Sequence, residues 1–261
     1  MSWASQRKAA YFGGVFALIA LAIGVPLFIY FNRAPSCTDA KQNGGEQGVD
    51  CGGSCKKLCT AQTKDLVILW NRAFRVADGA YDVLAMVTNP NLGAGLQSVL
   101  YRMELYDENN VLITEKVGKT FVGPSEQFAI FEGGIKTGER VPRRAFFEFE
   151  PGIVWEKKEV PSKDELAISV RDKALSDLET KPRLKATIVN DTAFPVRDIV
   201  VTAIVYDTAD NALGVSATYI DEISKNDAKQ VFFTWQEPFS ATPVRVDVLP
   251  RVNVFELYGG E

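Results

Sequence analysis

The sequence predicts a mainly β protein that carries an N-terminal transmembrane helix, a small disulfide knot and two tandem β-sandwiches. Three observations lead to this prediction: a long apolar segment without formal charge, four cysteines confined to residues 37–59, and strand-like blocks that recur one domain length later. The predicted order is a cytoplasmic N-terminus (1–8), the helix (9–31), the knot (32–62), the first sandwich (63–158) and the second sandwich (159–261).

The composition excludes several classes of function. With 46% hydrophobic and 24% charged residues the chain is typical of globular proteins. The formal charge of −4 provides no basic field for a phosphate backbone, so we expect no nucleic-acid partner. The absence of histidine excludes Ser-His-Asp and Cys-His nucleophile pairs and every imidazole metal site. We therefore expect a protein that is not an enzyme, without catalytic residues, metal or cofactor.

The segment 9–31 is predicted to cross a membrane. Its 23 residues carry no formal charge and would form a helix about 34 Å long, enough for the hydrocarbon core. It is too long for the apolar core of a secretory signal, and Pro26 predicts a kink. Arg7 and Lys8 precede it and Arg33 follows it, so the positive-inside rule places the N-terminus in the cytoplasm and the bulk of the chain outside. A buried helix of a soluble core is the alternative.

The four cysteines, Cys37, Cys51, Cys55 and Cys59, predict two disulfides. Outside the cytoplasm thiols meet an oxidising environment and pair, and the glycine-rich stretch between them holds too few apolar residues for a core of its own. Three pairings are open. A zinc site of four thiolates is the alternative, although the CxxC pairs typical of such sites are missing. A lipidated cysteine would need a small-residue cleavage signal, which "NRAPSC" does not resemble.

The same stretch offers oxygen atoms from Asp39, Asn43, Glu46 and Asp50, which suit calcium. The alternative is that they are ordinary turn residues of a solvated loop, and this is the interpretation that we favour. The pattern "NGGEQGVDCGGSC" resembles a short cysteine module of surface-exposed proteins from bacteria and some eukaryotes, with the core NG-x-E-x-x-x-DCGG-x-C. That resemblance implies a location outside the cytoplasm and a structural role.

From residue 63 onward the pattern is that of short strands. Four segments, 80–89, 98–107, 127–132 and 144–150, are rich in Val, Phe, Tyr and Leu and are separated by turn residues. The charged segment 156–165 is predicted to be a solvated joint between domains. The segment 172–183 is expected to contain one short helical turn.

Three blocks of the first β region recur in the second at nearly constant spacing, which indicates a duplicated domain. Short strands with frequent turns over such a length favour an immunoglobulin-like sandwich for each copy. The matched blocks are "DVLAMVTN" (82–89) with "RLKATIVN" (183–190) at an offset of 101, "VLYRMELYD" (99–107) with "IVVTAIVYD" (199–207) at an offset of 100, and Pro151 with Pro250 at an offset of 99.

The segments "MELYD" (103–107) and "AIVYD" (203–207) resemble the signature of FxLYD domains, relatives of the type-2 late-embryogenesis-abundant sandwich. The leading Phe of that signature is Met103 in one copy and Ala203 in the other. The resemblance implies an immunoglobulin-like fold in a bacterial or archaeal surface protein, beside a membrane span, and no catalytic residues.

Two further groups of residues have both a structural and a functional interpretation. The repeated Tyr-Asp pairs at 106–107 and 206–207 are expected to begin hairpin turns, with Asp accepting from turn amides; the alternative is a binding site. Aromatic residues at strand spacing are expected to belong to the core, and a carbohydrate or peptide groove is the alternative. These aromatic residues are Trp70, Phe74, Phe146, Phe147, Phe149, Trp155, Phe232, Phe233 and Trp235.

The functional prediction is a non-enzymatic surface protein, anchored in the bilayer through residues 9–31. Its tandem sandwiches are expected to act as a structural or protein-interaction module of the cell envelope, with another envelope protein as partner. The alternative is a surface module that binds a glycan, peptide or calcium, or that assists an envelope enzyme. An enzyme built on paired carboxylates is the least favoured interpretation, because no such pair stands out in the sequence.

Overall fold

The computed structural model describes residues 3–162 and 165–257, apart from the side chains of residues 4–6 and 9. The protein is mainly β, with 48% strand and 11% helix. It divides into two compact units, Met1–Cys55 and Lys56–Glu261.

The first unit begins with the apolar helix α1, Trp3–Phe31, which continues through Pro26. Within it, Ala10–Phe31 is long and apolar enough to cross a membrane, and none of this stretch is buried. The stretch Ala10–Phe31 is apolar all round, as expected of a segment whose whole circumference faces a non-aqueous environment. After α1 the unit consists of turns and bends, with one isolated bridge between Gly48 and Cys51.

The second unit contains strands that are numbered here in chain order, after a single 3-10 turn at Thr60–Gln62. The strands are β1 (Val67–Ala77), β2 (Ala80–Thr88), β3 (Ala94–Tyr106), β4 (Leu112–Val122), β5 (Gln127–Lys136), β6 (Arg144–Phe149), β7 (Glu156–Lys157), β8 (Ile168–Ser176), β9 (Arg183–Asn190), β10 (Val196–Tyr206), β11 (Ala212–Ile223), β12 (Asp227–Thr234) and β13 (Arg245–Arg251).

These strands form two antiparallel β-sandwiches of the same topology. In sandwich 1, sheet β1-β2-β5 faces sheet β4-β3-β6, and the short β7 also pairs with β3. In sandwich 2, sheet β8-β9-β12 faces sheet β11-β10-β13. Apart from β7, each strand of sandwich 1 has a counterpart at the same place in sandwich 2. This division of successive strands between two sheets is typical of immunoglobulin-like sandwiches. The prediction of two tandem sandwiches is confirmed.

Each sandwich encloses an apolar core supplied by alternate residues of its strands. Because successive side chains of a strand point to opposite faces, the alternate apolar positions of the repeated blocks come to lie inside. The central strands supply Val83, Ala85, Val87, Val99, Tyr101, Met103 and Leu105 to the first core and Leu184, Ala186, Ile188, Ile199, Val201 and Ala203 to the second.

A third apolar core lies between the two sandwiches and was not predicted. The outer face of sheet β1-β2-β5 packs on the outer face of sheet β11-β10-β13, so that β2 and β10 are largely buried on both faces. The buried residues of this interface are Phe74, Leu84, Met86 and Ala129 from sandwich 1 and Ile204, Tyr206, Ala212 and Val215 from sandwich 2.

The strand register corrects one detail of the repeat. Arg144 lies opposite Tyr106, and Arg245 lies opposite Tyr206. Strand β13 is therefore equivalent to β6 at an offset of 101, and the offset of 99 inferred from the two prolines is wrong by two residues. A shift of two keeps each side chain on the same face of the strand, so the hydrophobic pattern could not reveal the error.

Three other local expectations are revised. Strands β1 and β4 were not singled out by the sequence pattern. The helical turn expected in 172–183 is wrong, because residues up to Ser176 pair with β9 and a turn follows. Of the joint predicted at 156–165, the first two residues form β7, and residues 163 and 164 lie outside the described residues.

Candidate functional site

The disulfide knot forms as expected. Cys37 is bonded to Cys55, with their Cα atoms 5.7 Å apart, and Cys51 and Cys59 are also disulfide-bonded. No cysteine in the described part of the chain is free. The sulfurs of Cys37 and Cys55 lie within 4.8 Å of a carboxylate oxygen of Glu46, but sulfurs joined in a disulfide are not the thiolates that a metal needs.

The oxygen-bearing side chains of the knot hold its loop together. Both carboxylate oxygens of Asp50 accept from the Ala40 N–H, at 3.1 and 3.0 Å. Asp39 accepts from the Asn43 amide at 2.9 Å, and this bond is the main cause of a lowered pKa of Asp39. Glu46 accepts from the Asn43 N–H at 3.2 Å. The three carboxylates therefore act as hydrogen-bond acceptors within the loop, and calcium binding stays the alternative interpretation.

A buried asparagine ends the second strand of each sandwich. Asn89 is 1% exposed, and its amide donates to the carbonyls of Ala94 (2.8 Å) and Gly123 (2.7 Å). Asn190 is fully buried, and its amide donates to carbonyls that include that of Ile223 (3.0 Å). In both copies one amide ties the end of the strand to two loops, which satisfies carbonyls that are shielded from water. The role is structural.

The repeated Tyr-Asp pairs form turns rather than a site. Asp107 Oδ1 accepts from the N–H groups of Asn109 (3.0 Å) and Val111 (2.9 Å). Asp207 Oδ1 accepts from those of Ala209 (2.8 Å) and Asn211 (2.9 Å) in the same pattern. These hydrogen bonds lower the pKa of both carboxyls, with the largest contributions from the side chain of Arg140 for Asp107 and from that of Asn211 for Asp207.

Most of the aromatic residues that could have lined a groove belong to cores. Phe147, Trp155 and Phe233 are buried inside their sandwiches, and Phe149, Trp235 and Trp70 pack against apolar clusters. Phe146 and Phe232 are 44% and 62% exposed, on different sandwiches. The prediction that these aromatic residues belong to the core therefore holds for most of them, and the nine do not form one continuous groove.

A cleft of about 250 Å³ lies where the two sandwiches meet, and it is the candidate functional site. Its apolar wall contains Phe74 from sandwich 1 and Trp235 with Phe239 from sandwich 2. The Trp235 and Phe239 rings meet edge to face at 5.1 Å, and the Trp235 indole donates to the Val215 carbonyl at 3.0 Å. The sequence singled out Phe74 and Trp235, but Phe239 was missed because it follows a proline in a loop without strand periodicity.

Gly214 allows this aromatic pair to approach the backbone. A Cβ atom at this position would lie 2.8 Å from Nε1 of Trp235 and 2.7 Å from the Phe239 ring. Any larger residue would force both rings to move, so glycine is required by close packing and not by its backbone conformation.

The polar wall of the cleft carries both signs of charge. Arg75 pairs with Glu237 across the two sandwiches at 3.0 Å, and Arg72 donates to the Ala212 carbonyl at 2.9 Å. Asp82 is half-buried, and this burial raises the pKa of its carboxyl, while the N–H of Gly134 donates to it at 2.8 Å. Such a mixed wall matches a neutral ligand better than an anion or a cation.

A second cross-contact fixes the two sandwiches together. Arg251, on β13, lies between the rings of Phe121 (3.9 Å) and Phe128 (4.1 Å) of sandwich 1. Its Nε donates to Glu126 at 2.7 Å and its Nη1 to the hydroxyl of Thr120 at 2.8 Å. The Arg251 side chain is 13% exposed, so the cation is held by two rings and a carboxylate away from most of the solvent.

Comparisons with known proteins identify no family. No protein-family model matches the chain, and no curated protein matches it. Among solved structures, the crystal structure of red sea bream transglutaminase is similar over 72% of this chain and 29% of that chain, at 16% identity and a TM-score of 0.24. The chain spans less than a third of that structure, and a likeness at this TM-score supports no conclusion about fold or function.

Proposed function

We propose that the protein is a non-enzymatic, single-pass membrane protein whose sandwiches form one structural or protein-interaction module outside the cytoplasm, in the cell envelope. The observation that carries this proposal is the third apolar core. Two sandwiches that bury Leu84, Met86, Ile204 and Tyr206 between them have a fixed mutual orientation. A fixed pair can present a composite surface to a partner at low entropic cost.

The location is supported by the helix and the cysteines together. Ala10–Phe31 is apolar and free of burial, as a lipid-facing helix should be. The disulfides directly after it are typical of an oxidising compartment. With basic residues before the helix, the N-terminus is then cytoplasmic and the sandwiches are outside.

Intact cells provide the test of location. Protease added outside should digest the sandwiches, alkaline carbonate should leave the chain in the membrane, and non-reducing peptide maps should contain no free thiol. Protection of the sandwiches from protease, together with labelling of two or more cysteines by a cytosolic thiol reagent, would overturn the proposal.

The partner is tested by crosslinking intact cells and identifying the crosslinked peptides by mass spectrometry. We expect crosslinks between the sandwiches and another envelope protein. A purified chain that instead turns over envelope glycans, and loses this activity with a single carboxylate-to-amide change, would contradict the non-enzymatic assignment.

The cleft favours a second candidate function, the binding of a neutral glycan or peptide. Aromatic rings beside mixed polar groups are suited to such ligands. Titration of the full chain with chito-oligosaccharides and with unstructured peptides, followed by tryptophan fluorescence, should reveal binding that is lost in Trp235→Ala and retained in Phe232→Ala. If neither ligand class changes the fluorescence, this second candidate function is excluded.

A further inference from the structure

One end of sandwich 1 carries a cluster of lysines that is named here the lysine end. It is formed by three chain segments, 56–66, 91–95 and 154–159, which contain Lys56, Lys57, Lys64, Lys157 and Lys158. Lys158 is half-buried, and the other four residues are exposed.

Backbone contacts hold the three segments side by side. The N–H of Lys157 donates to the Lys56 carbonyl at 2.8 Å, and Lys157 also lies opposite Ala94 in the β3–β7 ladder. The N–H of Lys64 donates to the Asn91 side chain at 2.8 Å. The lysines therefore share one end of the sandwich because of strand pairing, although they are up to 102 positions apart in the sequence.

The lysine end is basic within an acidic protein. Its segments hold five lysines and three carboxylates, those of Asp65, Glu156 and Glu159, which gives a net charge of +2 in a chain of net charge −4. Glu156 pairs with Lys56 at 2.7 Å, which neutralises one lysine and one carboxylate and leaves the net charge of the three segments unchanged. An exposed basic end of this kind is attracted to anionic surfaces.

Two exposed apolar residues belong to the same three segments. Leu92, in the loop between β2 and β3, is 76% exposed, and Val154, just before β7, is 51% exposed. Apolar side chains next to lysines are the combination that peripheral membrane surfaces use, since the charges meet headgroups while the apolar groups enter the boundary below them.

The lysine end is connected to the apolar helix α1 by a short stretch of chain. In the sequence, 25 positions separate Phe31 from Lys56. The Cys37–Cys55 disulfide reduces this path to seven residues of chain and one cross-link. Seven residues extend at most about 25 Å. Of the whole second unit, the lysine end is thus the part with the shortest tether to α1.

We propose that the lysine end binds the headgroups of anionic phospholipids in the membrane that α1 spans, with Leu92 at the headgroup boundary. This inference rests on the proposed membrane anchoring. It predicts that lipid charge, and not the anchor alone, determines whether the lysine end lies against the bilayer, because attraction to anionic lipid acts only within a Debye length of the surface.

The test compares full-length protein in two kinds of lipid nanodisc, one of phosphatidylcholine alone and one that also contains phosphatidylglycerol. Lysine acetylation is followed residue by residue with mass spectrometry. In the anionic discs we expect acetylation of Lys57, Lys64 and Lys157 to be several-fold slower than in the neutral discs, and high salt should remove the difference. Lys181 and Lys225, in turns of sandwich 2, should react equally in both and serve as internal controls.

Two double variants test whether the difference in acetylation depends on the positive charge of the lysine end. Lys57→Glu combined with Lys157→Glu should abolish the difference at Lys64, whereas Lys181→Glu combined with Lys225→Glu should preserve it. Equal acetylation in both kinds of disc, or protection that persists at high salt, would overturn lipid binding while leaving the anchor intact. Failure of the chain to enter nanodiscs at all would instead overturn the proposed anchoring.

Discussion

At the scale of single residues, the duplicated asparagines are the clearest structural determinants in the sandwiches. Asn89 directly follows β2 and Asn190 is the last residue of β9, and at these equivalent positions both use their amide groups to hold carbonyls in a buried site. The sequence showed that an Asn recurs at an offset of 101, but it could not show that the side chain is buried. Burial of the side chain depends on loops that are distant in the sequence. Because the asparagine is buried, its hydrogen bonds to these loops stabilise the sandwich.

Replacing Asn190 by alanine should therefore destabilise sandwich 2 strongly. The carbonyl of Ile223 would lose the Asn190 donor within the protein interior, which costs about 2–3 kcal/mol in the free energy of unfolding. Chemical denaturation measures this loss. Asn109→Ala, at an exposed turn, is the matched control and should change the free energy of unfolding little. A loss at Asn190 no larger than that of the control would contradict the assigned role.

The turn carboxylates should make stability sensitive to acid. The Arg140 side chain and the turn amides lower the pKa of Asp107 below its ordinary value of 3.8. Such a carboxyl contributes stability that is present above pH 3.8 and is lost as the pH falls through the lowered pKa of the folded state. In Asp107→Asn the melting temperature should be lower near neutral pH and fall less steeply in acid.

Melting curves from neutral to acidic pH test this expectation. Glu139→Gln, at an exposed position in the turn that carries Arg140, is the control and should keep the wild-type pH profile. A parallel profile in Asp107→Asn and the wild type would show that the carboxyl contributes nothing to acid sensitivity.

At the scale of strands, local pattern predicted some elements and missed others. The apolar, β-branched β2, β3, β5 and β6 are visible in the sequence because their inner faces alternate with outer ones. Strands β1 and β4 each contain a single buried residue, so their periodicity is weak. The helical turn expected in 172–183 does not form, because pairing with β9 extends strand β8 to Ser176.

The contact of Arg251 on β13 with Glu126 of sandwich 1 should contribute strongly to stability. Removing the Arg251 guanidinium in Arg251→Met leaves Glu126 with the Gly123 N–H but without its cationic partner, in a site where both side chains are mostly buried. We therefore expect a loss of about 3 kcal/mol in the free energy of unfolding. In a double-mutant cycle with Glu126→Gln, the coupling energy should exceed about 1 kcal/mol. Arg197 with Glu222, a more exposed pair, is the control cycle, and its coupling energy should be below about 1 kcal/mol.

At the scale of the whole molecule, the two copies of the domain have diverged at one face. Equivalent strands β3 and β10 carry Glu104 and Ile204 at the same position. Glu104 lies on the outer face of its sheet, whereas Ile204 is fully buried against sandwich 1. The apolar side chains on one sheet of the second sandwich allow it to pack on the first.

Ile204→Glu should therefore uncouple the sandwiches without unfolding either one. A carboxylate in the third core would be desolvated without a partner, which is strongly unfavourable. Calorimetry should show a single cooperative transition in the wild type and two transitions in the variant. Leu100→Glu, at a 49% exposed position on the outer face of β3, should keep the single transition, and one transition in Ile204→Glu would contradict the coupling.

The sequence by itself determined the apolar helix, the likeness of the two copies and the oxidation of the cysteines, because each depends on local composition or on a regular period along the chain. The tertiary structure decided which cysteine Cys37 bonds, that a third core joins the sandwiches, and that Phe74, Trp235 and Phe239 meet at one cleft. These features depend on which distant residues come together, and many pairings share the same local pattern. Only the packing of whole strands and sheets against one another determines which of these pairings forms.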